Sequence, residues 1–264
     1  MKIASKNIWI TGASSGIGEA LTLELVRRGG TVFLSARNEA SLQRVQKACE
    51  GLKGRAFVYP LDVSQEAAIY QLRDTILAEH QHIDILINNS GISQRSLAVE
   101  TPIAVDRQIM EVNYFGAVNM TKAVLPHMIA RKTGHIVSIS SIVGKFGFPL
   151  RSAYSASKHA LHGYFESVRA ENQSKGIEVT LVCPGRVKTN ISLHALTKEG
   201  KAHGQLDQGQ EEGISAESCA RQIVQAMERS KKEVWIGGKE ILMVYIRKYL
   251  PFLFYRMAAK VKPT

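Results

Sequence analysis

Short apolar runs alternate along the chain with longer stretches in which apolar residues return every three or four positions. The runs near residues 7–11, 31–35, 56–59, 83–88, 134–140, 177–183 and 233–236 predict strands. The stretches near 16–28, 39–50, 65–80, 102–131, 153–174 and 216–229 predict helices. Segments such as "IDILI" (83–87) and "IEVTLV" (177–182) are mostly apolar runs rather than alternating ones, as expected of strands covered on both faces. Strand and helix in turn predict right-handed crossovers and a doubly wound α/β/α sandwich with a seven-stranded parallel sheet. No repeat or linker divides residues 1–237, which read as one domain. The polar stretch 197–213 reads as a mobile flap, and 238–264 as a basic, apolar tail.

Composition narrows the class. Hydrophobic residues make up 45% of the 264, enough for a sizeable core. Of the net charge of +11, residues 231–264 carry +6, from eight cations against two acids. The basicity is thus concentrated in the tail. No basic stripe interleaved with aromatics occurs elsewhere, so no nucleic-acid partner is expected. Three scattered cysteines give neither a disulfide framework nor a zinc pattern, and no metal is expected. The first apolar run begins too early for a signal peptide, which points to the cytoplasm.

"WITGASSGIGEAL" runs from a strand through Gly12, Gly16 and Gly18 into a helix. Glycines let backbone approach a pyrophosphate, and the helix N-terminus offers free N–H groups. Gly12, Ser14, Ser15, Gly16, Ile17 and Gly18 are therefore the expected contacts of a dinucleotide. About 20 residues later, where an acid would hold a ribose, the chain has Ala36 and Arg37. A guanidinium suits a 2′-phosphate, so the expected coenzyme is NADP(H). In "PLDVS", Asp62 and Val63 are placed for the adenine, and Ser64 to cap the next helix. "NNSG" brings Asn88, Ser90 and Gly91 to the same sheet edge.

"AYSASK" places Tyr154 and Lys158 one helical turn apart. Such a pair alone carries no message. Here Ser141 ends a strand thirteen residues upstream. An ammonium near a phenol favours the phenolate, and a serine hydroxyl can donate to a developing oxyanion.

"TGASSGIG", "NNSG", "ISS", "YSASK" and "PGRVKT" occur in the order and spacing of the short-chain dehydrogenase/reductase family. The chain resembles its NADP-preferring branch with the shorter chain, over about residues 5–190. The resemblance implies a Rossmann-type fold and interconversion of a ketone or aldehyde with an alcohol. It implies Tyr154 as acid/base and Lys158 as the residue that lowers the phenol pKa and holds the nicotinamide ribose. Ser141 would polarise the carbonyl, and Asn113 would hold a water linking Lys158 to solvent. Pro184, Gly185, Val187 and Thr189 would hold the carboxamide. One departure is Ser90, where the family more often has Ala. A homodimer or homotetramer is implied, joined through the Asn113 and Tyr154 helices. A second reading is a non-catalytic NADP-sensing protein, against which the intact Ser141, Tyr154, Lys158 and Asn113 argue.

Phe146, Phe148, Pro149 and Leu150 are expected to form an apolar substrate wall, with Arg151 as an anionic contact. The remaining substrate contacts would come from Ile92–Gln94 and the flap. The substrate is then an apolar carbonyl compound, steroid-, retinoid- or lipid-like. His159 and His162 are expected on outer faces of the helix or at a subunit contact, and Cys183 as inert packing. The tail "ILMVYIRKYLPFLFYRMAAKVK" has no run near 20 apolar residues, and Pro251 should kink it. Its two readings are a peripheral membrane contact and a cover for the active site or a partner subunit.

Overall fold

Each apolar run becomes a strand of one parallel sheet in the computed structural model, which describes residues 2–258. The strands are β1 (Asn7–Thr11), β2 (Thr31–Ser35), β3 (Arg55–Val58), β4 (Ile85–Asn88), β5 (Gly134–Ile139), β6 (Ile177–Pro184) and β7 (Glu233–Ile236). Their order is β3-β2-β1-β4-β5-β6-β7. The winding reverses between β1 and β4, so a crevice opens there at the strand carboxyl ends.

The core explains why the runs are continuous. Ile8, Ile10, Ile85 and Ile87 face one layer, built from α1 (Gly16–Arg27), α2 (Glu39–Ala48) and the later helix Ala216–Glu228. Trp9, Phe33 and Leu86 face the other, built from α3 (Glu66–His80) and the helices Gly116–Ala130 and Ser152–Asn172. Successive strand residues point to opposite faces, and both faces are covered.

The stretch 102–131 is not one helix. It divides into α4 (Ile103–Met110), a π turn (Glu111–Phe115) and α5 (Gly116–Ala130). The extra residue turns Asn113 inward, where it is 1% exposed. There Asn113 Oδ1 accepts from Ile92 N at 2.8 Å and its Nδ2 donates to Ile92 O at 3.0 Å. Tertiary hydrogen bonds thus override the local helical period. The next long helix, α6 (Ser152–Asn172), buries Lys158, Leu161, His162 and Phe165 at a spacing of three and four.

The stretch 197–213 holds turns and the one-turn helix α7 (Gln208–Glu211), followed by α8 (Ala216–Glu228). The tail breaks at Leu250 into α9 (Leu242–Tyr249) and α10 (Pro251–Ala258), with Pro251 at a helix start, where it needs no N–H partner. Val244 and Phe254 pack on Ile142 and Phe146. Residues 259–264 of the expected tail lie outside the described residues. Among the described residues, no helix is long and apolar enough to cross a membrane.

Candidate active site

A cleft of about 690 Å³ lies over the carboxyl ends of the strands. One end is the glycine loop. Gly12 and Gly16 have φ of +66° and +57°, conformations that side chains disfavour. A Cβ on Gly18 would lie 2.0 Å from the Gly12 carbonyl oxygen, so Gly18 serves the packing of the loop and does not line the cleft. Thr11 Oγ1 accepts from Asn89 N and Ser90 N, both at 3.1 Å. Asn89 Nδ2 returns bonds to the carbonyls of Thr11 (3.1 Å) and Gly12 (3.0 Å). From α2, Arg44 pairs with Glu19 at 2.7 Å and donates to the Ser14 carbonyl at 3.2 Å.

Of the residues expected to hold a nucleotide, Gly12, Ser14, Ser15, Gly16, Ile17, Arg37, Asp62, Val63, Ser90 and Gly91 line the cleft. Pro184, Gly185, Val187 and Thr189 line it too. Arg37 is exposed at its mouth. Asn88 does not line it. Its side chain turns to α5, where Nδ2 donates to Thr121 Oγ1 at 3.1 Å. Strand alternation sends Asn88 into the core and leaves Asn89, which the sequence reading passed over, at the cleft. Asp62 Oδ1 accepts from Ser64 N (3.0 Å) and Ser64 Oγ (2.8 Å), a local turn. Ser64 therefore does not cap the following helix, whose N-cap is Gln65.

Tyr154, Ser141 and Lys158 line the other end. The Ser141 hydroxyl faces both the Pro184 carbonyl, at 3.3 Å, and the phenol. Lys158 Nζ donates to the Ile139 carbonyl at 2.9 Å and lies 5.8 Å from the Tyr154 ring centre. Burial lowers the Lys158 ammonium to about 8. Burial also raises the phenol above its ordinary value, opposed by the Ser141 hydrogen bond and the charges of Arg151 and Arg95. Arg151 and Arg95 thus join Lys158 as cations near the phenol.

Asn113 stands beside this group but does not line the cleft. Its second amide hydrogen goes to Ser157 Oγ at 3.0 Å, so both are engaged within the protein. A Cβ on Gly91 would meet Asn113 Oδ1 at 3.3 Å and Lys158 Nζ at 3.4 Å, which brings the three residues into one cluster.

The expected substrate wall is built otherwise. Phe146 is buried against Phe254 of the tail, with ring centres 5.2 Å apart, and Phe148 lies under the Arg151 guanidinium. Neither faces the cleft, nor do Pro149 and Leu150. Arg151 is paired with Asp207 at 2.9 Å. Instead Ile92, Val112, Ile191 and Leu196 supply apolar lining, with Gln108 and His194 as polar points. His162 also departs from expectation. It lies one turn beyond Lys158 on the inner face, with Nε2 3.1 Å from Ser140 Oγ. His162, Glu166 and Glu233 bring potential ligand atoms within 4.8 Å of one another, but Glu233 is engaged by Lys145 and Trp235. Burial pushes the Cys183 thiol up to about 12, in keeping with a packing role.

A seven-stranded sheet of this order, with a glycine-lined cleft at its switch point, defines a Rossmann-type fold of the dinucleotide-binding kind. The chain belongs to the short-chain dehydrogenase/reductase family, and residues 6–200 match the short chain dehydrogenase family. It is 46% identical over 261 residues to dehydrogenase/reductase SDR family protein 7-like of Anopheles gambiae, covering 97% of this chain and 82% of the relative. A metagenomic short-chain oxidoreductase solved in complex with NADP is 28% identical, with a TM-score of 0.74, over 89% of this chain and 98% of that one. A Burkholderia phymatum short chain dehydrogenase/reductase in complex with NAD is 21% identical, with a TM-score of 0.84, over 100% and 98%. Proteins of this fold thus bind either nucleotide.

Proposed function

We propose that the chain is an NADP(H)-dependent oxidoreductase that interconverts an apolar ketone or aldehyde with its alcohol. The observation that carries the reading is the meeting of Tyr154, Ser141 and Lys158 in the same cleft as the glycine loop and Arg37. The cleft fits the coenzyme. Gly12 and Gly16 line it in left-handed conformations without side chains, and positions 36–38 hold Arg37 and no acid. Bound NADPH would supply the hydride to the carbonyl carbon. Tyr154 would give its proton to the carbonyl oxygen, or take it back in oxidation. The Ser141 hydroxyl would donate to the same oxygen as charge develops. Lys158 would hold the nicotinamide ribose and keep a cation near the phenolate. Asn113 would fix the 91–92 turn against Lys158, and a water held there would donate to Oδ1 or to a backbone carbonyl.

Arg37 would pair with the 2′-phosphate, a charge-assisted contact worth about 1.5–3 kcal/mol. Ala36→Asp combined with Arg37→Ala is therefore expected to swing the NADP/NAD ratio of kcat/KM towards NAD by roughly 10- to 150-fold. Steady-state kinetics with both coenzymes check this. An unmodified enzyme that already prefers NAD contradicts the assignment.

The segment 197–213 would act as the flap on the substrate side, where Leu196 and Ala202 already line the cleft. The apolar lining there suits a steroid-, retinoid- or lipid-like carbonyl. Homodimers or tetramers would form through the helices of the Asn113 and Tyr154 segments; Phe115, in the π turn that leads into α5, is 45% exposed.

The tail supports a membrane contact. Leu242, Tyr249, Phe252 and Tyr255 are exposed around Arg247, Lys248 and Arg256, and no acid interrupts residues 241–258. Rings at an interface with cations on headgroups fit an anionic bilayer surface. Vesicles of anionic lipid are expected to co-sediment the full chain, and to do so poorly with Phe252→Asp or without residues 238–264. Equal sedimentation of all three contradicts this role.

A further inference from the structure

The strip 93–96 runs beside the first turn of α6 and ties it down. Ser96 N donates to the Leu150 carbonyl at 3.3 Å, and Arg95 N to the Leu196 carbonyl at 2.8 Å. Leu150, just before the helix, has φ of +61°, a region a leucine disfavours. The helix brings no cap of its own, since Arg151 at the N-cap makes no side-chain bond to it. Gln94 supplies one from outside. It is 0% exposed, and its Oε1 accepts from Ala153 N at 2.8 Å and Tyr154 N at 3.4 Å. Its Nε2 faces Thr101 Oγ1 (3.1 Å), Ser152 Oγ (3.2 Å) and Ser96 Oγ (3.3 Å).

We propose that Gln94 is a positioning residue for the phenol of Tyr154, capping from 60 residues upstream the helix turn that carries the hydroxyl. The proposal rests on the reading of Tyr154 as the acid/base. A serine or aspartate at position 151 would cap the helix locally. A glutamate at position 94 would gain from the helix dipole. The amide caps the turn and leaves it neutral, so the cap itself adds no anion beside a phenol that must ionise. The charged and titratable groups around that phenol are then Lys158 from α6, Arg151 at its N-cap, Arg95 from the strip, Asp207 and His194 from the stretch after β6, and Cys183 near Lys158.

Two substitutions separate cap from charge. Gln94→Met removes the cap at similar length, and kcat is expected to fall about 10- to 100-fold, with coenzyme Kd and the pKa of the pH–rate profile unmoved. Gln94→Glu keeps the acceptor and adds an anion. It is expected to hold kcat near wild type on the high-pH plateau of alcohol oxidation, and to move that profile's pKa upward by roughly one unit. Wild-type kcat in Gln94→Met, or a loss matched by lost Tm and coenzyme affinity, overturns the proposal. An unshifted profile in Gln94→Glu overturns its charge half. Tyr154→Phe serves as the reference. Normal turnover in that variant defeats the reading of the phenol, whereas a dead Tyr154→Phe beside a normal Gln94→Met defeats only the role of Gln94.

Discussion

Tyr154→Phe is expected to lower kcat by about 10²- to 10⁴-fold, the range for losing a positioned proton donor. The ring stays, so its packing on the cleft wall is retained. NADPH affinity, read by coenzyme fluorescence, should stay within about twofold, because general acid–base chemistry acts on the reacting oxygen and not on the nucleotide. A panel of ketones and aldehydes, followed by NADPH absorbance, gives the rate, with the variant as blank. Comparable turnover in both proteins would remove the phenol from the mechanism.

Gly18→Ala is expected to damage fold and coenzyme binding together. Its Cβ would lie 2.0 Å from the Gly12 carbonyl oxygen and 2.6 Å from Asn89 Nδ2. Neither neighbour is free to yield, since Asn89 Nδ2 is bonded to the backbone of Thr11 and Gly12. Overpacking against backbone belongs at the upper end of its range, about 3 kcal/mol. For a chain of this size that corresponds to a Tm lower by roughly 6–12 °C. The glycine loop must also part from the 88–91 turn, so NADPH binding should be lost. A Cβ on Gly147 meets nothing within 4 Å, and Gly147→Ala should melt as the wild type does. A Gly18→Ala protein with unchanged Tm and affinity would contradict this description of the loop.

The sheet was legible because its signal is local. Runs such as "IDILI" announce strands covered on both sides, and Ile85, Leu86 and Ile87 do alternate between the two layers. The glycine loop was legible because its spacing and position carry a backbone requirement. What escaped depends on partners distant in sequence. The π turn at Asn113 has no periodic signature, since the bonds to Ile92 that draw the residue inward span 21 positions. Asn88 and Asn89 look equivalent in "NNSG", and only the strand end decides which faces the cleft. Phe146 reads as substrate wall until Phe254, far along the chain, covers it. The charges on the phenol escaped for the same reason. Arg95 meets Asp207 across 112 positions, and half-buried Arg151 joins that buried pair.

The central claim is that a bound coenzyme and nearby cations make the Tyr154 hydroxyl acidic enough to exchange protons near neutral pH. Burial alone pushes that phenol up from its ordinary value, against the Ser141 hydrogen bond and the Arg151 and Arg95 charges. A difference titration of phenolate absorbance, with and without saturating NADP⁺ and with Tyr154→Phe as blank, tests the claim directly. The account predicts one phenolate step below pH of about 10 that needs both NADP⁺ and Tyr154. Superimposable curves for wild type and Tyr154→Phe with NADP⁺ bound would contradict it.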